Sequence, residues 1–132
     1  MDQTAANVRL AYITCGDLPE AERIGRALVG ERLAGCVNIL PGMRSIFRWE
    51  GRIEENQEVV LIAKTCVAHM DDLAMRVKSL HHYSTPCVLF LPVVGGNPAF
   101  LEWLQAEMVP RGTTTVLRRG PPVGPTAAPP PG

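Results

Sequence analysis

The chain has 132 residues, 46% of them apolar and 20% charged, with 13 basic and 13 acidic side chains and no formal net charge. That length buries one core, and the composition is that of an ordinary globular domain. The charge balance argues against a nucleic-acid partner held by phosphate contacts and against a polybasic membrane anchor, and no apolar run approaches the roughly 18 residues that cross a bilayer.

Residues 1–7 are polar and expected to fray. They lack the basic-then-apolar pattern of a signal peptide, which sets the expectation of a cytoplasmic protein. Residues 8–14 (VRLAYIT) alternate and read as a first strand. Asp17 is placed to cap a helix, with Pro19 in its first turn and Glu20 completing a capping box. Ala21, Ile24 and Leu28 then give that helix one apolar face. Gly25 and Gly30 each cost about 1 kcal/mol of helix propensity against Ala, so both are expected to be close-packing points, with Gly35 ending the helix.

Residues 35–65 form the longest pattern, read as one long β-hairpin. The apolar run 36–40 is interrupted by Pro41-Gly42, which marks a bulge rather than a strand end. The strand resumes through Ile46, Phe47 and Trp49, turns at Glu50-Gly51, and returns to the apolar run 59–63. Gly51 supplies the positive φ of a tight turn. Phe47 and Trp49 alternate with Arg48, so both aromatics share one face near the tip and are expected to anchor an interface.

Helical spacing returns with Met70, Leu73, Val77 and Leu80, and the helix must stop before Pro86. Residues 87–91 are a short apolar strand. Asn97 caps a last helix over residues 98–108 that packs through Phe100, Leu101 and Leu104. Residues 109–132 are rich in proline and glycine, contain no aromatic or acidic residue, and are expected to be a disordered, solvated tail after a folded domain of residues 1–108.

The order strand–helix–strand–strand–helix–strand is an α+β, ferredoxin-like βαββαβ arrangement with a long central hairpin and a C-terminal helix. Its strands are apolar on successive residues, yet the two helices cover one sheet face. The other face is therefore expected to meet further copies of the chain.

The segments AERIGRALVGERLAGCVNILPGMRSIFRWEGRIEE, EVVLIAKT, HHYSTPCVLFLPV and GNPAFLEWL resemble the CutA family of divalent-cation tolerance proteins over about residues 8–108. The run A-C-V-N-I-x-P-G followed by W-E-G carries the resemblance, with Gly35 standing where the family has Ala. The resemblance implies a homotrimer whose hairpins complete neighbouring sheets, an architecture similar to PII signalling proteins, and a function in copper and divalent-metal tolerance. Two alternatives stand beside it: a PII-like module binding a small anionic ligand between subunits, and a trimeric scaffold for partner proteins.

The family carries a His-Pro-Tyr segment followed by Glu-Val-Pro-Glu. His81, Tyr83 and Pro86 match that pattern. His82 replaces its proline, and Ser84 and Cys87 replace its two glutamates. Losing carboxylates while gaining imidazole and thiol suits copper or zinc better than magnesium or calcium. Cys15, before a helix N-terminus, is expected to carry a lowered thiol pKa and to share a metal with His81. Cys36, His82 and Cys87 are the next candidates. His81, four residues after Val77, should point toward the sheet, whereas His82, about 100° further round, needs a helix break to join it. The four cysteines match no zinc-finger spacing and are expected to be free thiols. No G-x-S-x-G, H-E-x-x-H, Walker or G-x-G-x-x-G motif is present, so no enzymatic activity is expected.

Overall fold

The computed structural model describes residues 3–110 of the chain; the expected tail from residue 111 onward lies outside the described residues. The elements are α1 (Gln3–Ala6), β1 (Val8–Cys15), α2 (Leu18–Gly30), β2 (Cys36–Trp49), β3 (Arg52–Cys66), α3 (Met70–Leu80), β4 (Val88–Pro92) and α4 (Pro98–Met108). The sheet order is β2-β3-β1-β4 with every pairing antiparallel, which is the expected ferredoxin-like arrangement.

Alternation divides the strands between two faces. Ala11, Ile13 and Cys15 of β1 and Val59, Leu61 and Ala63 of β3 turn to the helices, where they are buried with Ile24 and Leu28 of α2 and Leu73 and Val77 of α3. On the other face α4 covers one end, with Lys64 Nζ 5.3 Å from the Phe100 ring centre. Leu101 and Leu104 of α4 are buried there with Ala5 and Val8. Residues 3–6 are thus a helical turn tied to α4, not the frayed end expected from their polarity.

Two further expectations change. Asp17 does cap α2, accepting from Glu20 N–H at 2.9 Å, but the Glu20 carboxylate turns to Gly16 N–H rather than back to Asp17. The helix ends at Gly30, five residues early, because Arg32 enters the left-handed region (φ 60°) and Leu33 N–H returns to the Leu28 carbonyl. Gly25 is a close-packing point, since a Cβ there would lie 3.0 Å from Val37 Cγ2. Gly30 is not, having open space around it.

The hairpin turns at Glu50 and Gly51, both at positive φ (49° and 80°). Its bulge has a specific consequence. Val37 and Ile39, at odd positions of β2, pack on the helix-side core. The register then moves from Leu40 opposite Val60 to Met43 opposite Glu58, with Gly42 at φ 88°. The extra residue transfers the later odd positions to the opposite face. Phe47 and Trp49 therefore share a face with Leu40, Leu89 and Leu91, all partly or largely exposed. The open face carries these apolar side chains from β4 to the hairpin tip, with Glu58, Ser45, Asn56 and Glu54 interspersed along the arm.

Candidate metal centre

Cys15 ends β1 and is fully buried. The chain turns through Gly16, and the first turn of α2 carries Glu20, also buried although it is a carboxylate. At the far end of the sequence separation, α3 stops at Leu80 and His81 takes an extended conformation (φ −84°, ψ 144°). That break brings two adjacent histidines to one carboxylate, which a continuous helix would not allow. Glu20 Oε2 lies 2.6 Å from His82 Nδ1 and 3.5 Å from His81 Nδ1.

The partners assign the protons. His81 Nε2 lies 2.8 Å from the Thr14 carbonyl, which only accepts, so Nε2 carries the hydrogen. Its Nδ1 accepts from Tyr83 N–H at 3.0 Å. His81 is a neutral imidazole with both nitrogens engaged, and it points to the sheet as its spacing implied. His82 instead donates Nδ1–H to Glu20, and its backbone N–H donates to the same oxygen at 2.8 Å.

Burial pushes the Glu20 carboxyl up, but the N–H bonds from Gly16 and His82 and the His82 ring outweigh it, and its pKa is lowered. Cys15 goes the other way. Burial, then the carboxylates of Glu20, Asp17 and Glu58, push its thiol up to about 12. The expectation of a lowered thiol pKa is corrected: the sulfur sits inside the core, and negative groups surround it. Tyr83 donates its hydroxyl to Glu58 at 2.8 Å and is raised to about 12 by burial and that bond. Glu58 is itself buried.

One donor atom each from Cys15, Glu20 and His81 lies within 4.8 Å of the other two. Thiol, carboxylate and imidazole together fit a borderline or soft divalent ion, provided the thiol gives up its proton and His81 Nδ1 exchanges the Tyr83 N–H for the ion. The structure brings Cys15 and His81 together and adds Glu20, whose capping position gave the sequence no reason to single it out. Cys36 and Cys87 do not join them. Cys36 pairs with Lys64, which faces Leu10, five residues before Cys15 and so roughly 16 Å along the sheet. Cys87 bonds the Thr14 side chain, on the face opposite Cys15. An apolar groove between α2 and the edge strand β2, lined by Gly25, Val29, Val37 and Ile39, contains none of these donors.

Known proteins share this frame. The family described as CutA1 divalent ion tolerance protein matches residues 9–107. The divalent-cation tolerance protein CutA of Thermus thermophilus is 48% identical over 96 residues, covering 73% of this chain and 93% of that protein. The rice chloroplastic protein CutA 1 is 38% identical over 107 residues, and the chain spans 60% of its length. The crystal structure of CutA from Xylella fastidiosa superposes with a TM-score of 0.76 at 44% identity, over 77% of this chain and 98% of that one. The chain belongs to the CutA family of divalent-ion tolerance proteins.

Proposed function

We propose that this protein is a homotrimer that binds copper or zinc at the strand-end centre and serves divalent-cation tolerance without catalysing a reaction. The observation that carries the reading is the buried trio of Cys15, Glu20 and His81, with sulfur, oxygen and nitrogen donors within 4.8 Å of one another. Its Thermus thermophilus relative is named for divalent-cation tolerance. The exposed apolar side chains Leu40, Phe47, Trp49, Leu89 and Leu91 on one sheet face support self-association. Four unpaired cysteines suit a reducing compartment, here the cytoplasm. A protonated Cys15 beside a neutral, fully bonded His81 is no primed nucleophile, which favours binding over catalysis.

The test is calorimetry of the full chain without an affinity tag. Zinc and copper should bind and magnesium should not. Affinity should be higher at pH 7.5 than at pH 5.5, because the ligands must shed protons. A chain that binds no transition metal, or takes magnesium equally well, would overturn the reading.

A further inference from the structure

We infer that Cys36 and Lys64 are an oxidation-sensitive pair: hydrogen peroxide oxidises the Cys36 sulfur, and the Lys64 amine then closes on it as a sulfur–nitrogen bridge between β2 and β3. The pair lies at the root of the hairpin, on the sheet face opposite Cys15, and is independent of the metal centre.

Register brings the two side chains together. Cys36 stands directly opposite Lys64 in the pairing of β2 with β3, so their Cβ atoms are about 4.5–5.5 Å apart on one face. Gly35 N–H donates to the Lys64 carbonyl at 2.9 Å, and the Thr65 hydroxyl donates to the Leu33 carbonyl at 2.8 Å. These two bonds pin the register at this point. The long Lys64 side chain is placed as well: its Nζ lies 5.3 Å from the centre of the Phe100 ring and donates to the Cys36 sulfur. Phe100 of α4 thus holds the amine against the thiol.

Cys15 and Cys66 are buried, whereas Cys36 and Cys87 are partly open to solvent. Cys87 bonds the Thr14 side chain, which offers a hydroxyl and no amine. Among the described residues, Cys36 is the partly open cysteine that is bonded to an amine. Burial raises its thiol pKa above the ordinary value, while the Lys64 charge and hydrogen bond oppose that rise. The thiolate is therefore a minority form that Lys64 stabilises, and oxidation is slow but directed. In the first step the sulfur attacks one peroxide oxygen; the O–O bond breaks, Cys36 becomes a sulfenic acid and water leaves. In the second, the neutral Lys64 amine attacks that sulfur with its nitrogen lone pair. The S–N bond forms, the S–O bond breaks, and the hydroxyl leaves with an amine proton as a second water. Sulfur loses two electrons overall, and the peroxide gains them.

The test treats the untagged full chain with excess hydrogen peroxide in the presence of a metal chelator, then digests it with trypsin without reductant. Residues 33–44 and 53–76 should appear as one joined peptide, lighter than their sum by two hydrogen atoms, with trypsin failing to cut after Lys64. Dithiothreitol should separate the two halves. Lys64→Arg keeps the positive charge but replaces the amine with a guanidinium that does not condense. In that variant the joined peptide should fall at least about 10-fold, and dimedone should capture the Cys36 sulfenic acid instead. A joined peptide of residues 33–44 and 65–76 would be a disulfide of Cys36 with Cys66 and overturns the inference. So does a wild-type Cys36 that stays a thiol, or that is oxidised without joining Lys64. The wild-type digest decides the matter even if Lys64→Arg folds poorly.

Discussion

Glu20 and His82, 62 residues apart, are joined twice through a single carboxylate oxygen, which accepts the imidazole Nδ1–H at 2.6 Å and the backbone N–H at 2.8 Å. The other oxygen holds Gly16 N–H at 2.9 Å. One side chain thus fastens the start of α2, the end of β1 and the segment after α3. Glu20→Ala strands these donors at once, and each unsatisfied buried donor costs about 1–3 kcal/mol. We expect a loss of about 2–4 kcal/mol in urea unfolding, the exposed part of His82 recovering some solvation. A loss under about 1 kcal/mol would show that water replaces the carboxylate.

The same carboxylate gives the fold an acid limit. Its folded pKa lies below the ordinary value of 4.5, so its stabilisation is complete above about pH 4.5 and is lost as pH falls through the folded value. Glu20→Gln lacks that titration. Stability measured from pH 6 down to pH 3, roughly the range over which such carboxylates protonate, should fall more steeply in the wild type than in Glu20→Gln. Parallel curves would assign the acid sensitivity to other groups.

Cys15 and Tyr83 set the alkaline limit, with the opposite sign. Both hold their protons more tightly folded than unfolded, Cys15 to about 12 against 9.0 and Tyr83 to about 12 against 10.0. Their contribution is intact below the unfolded values and declines as pH rises toward the folded ones. Cys15→Ala should flatten the loss of stability above pH 9. Iodoacetamide at pH 8 should spare Cys15 in the native chain and reach it on unfolding. Rapid native alkylation of Cys15, mapped by peptide mass, would contradict a buried, protonated thiol.

How much of this was legible in the sequence depends on the range of the cause. The hairpin was, because Gly51 and the alternation around it are local signals, and so was the cap at Asp17. The bulge at Pro41-Gly42 was legible as a position. Its effect, moving Phe47 and Trp49 to the open face, emerges from the register between two strands. The meeting of Cys15 with His81 followed from where a strand and a helix end. Their protonation did not, because it is decided by Thr14, 67 residues from His81, and by the surrounding carboxylates. Glu20 hid behind its own capping position.

Trp49 is 53% exposed at the end of the hairpin and belongs to the face that carries Leu40, Leu89 and Leu91. A large aromatic left half in water at the tip of a two-stranded arm contributes little to the subunit it belongs to. Trp49→Ala should therefore leave far-ultraviolet circular dichroism unchanged and shift the proposed homotrimer toward monomer in sedimentation at micromolar concentration. An intact oligomer in the variant would place the assembly contacts elsewhere on the open face.

Gly35 and Leu104 provide a test of packing at the junction of β2 and α4. A Cβ at position 35 would collide with Leu104 Cδ1, and Leu104 is fully buried with Ala5, Val8 and Leu101. Gly35 does not lie at positive φ, so Ala is acceptable to the backbone and would gain about 0.4–1 kcal/mol by restricting the unfolded chain. Against that stands overpacking, which costs about 1–3 kcal/mol where the neighbour cannot swing away. We expect Gly35→Ala to be destabilising on balance, by about 1–2 kcal/mol. Shortening the neighbour should relieve the collision, so Gly35→Ala combined with Leu104→Val should be more stable than the sum of the two single changes, by about 0.5–2 kcal/mol. Additive behaviour in chemical denaturation would mean that the Leu104 side chain relaxes freely and that α4 sits more loosely on the sheet than this contact requires.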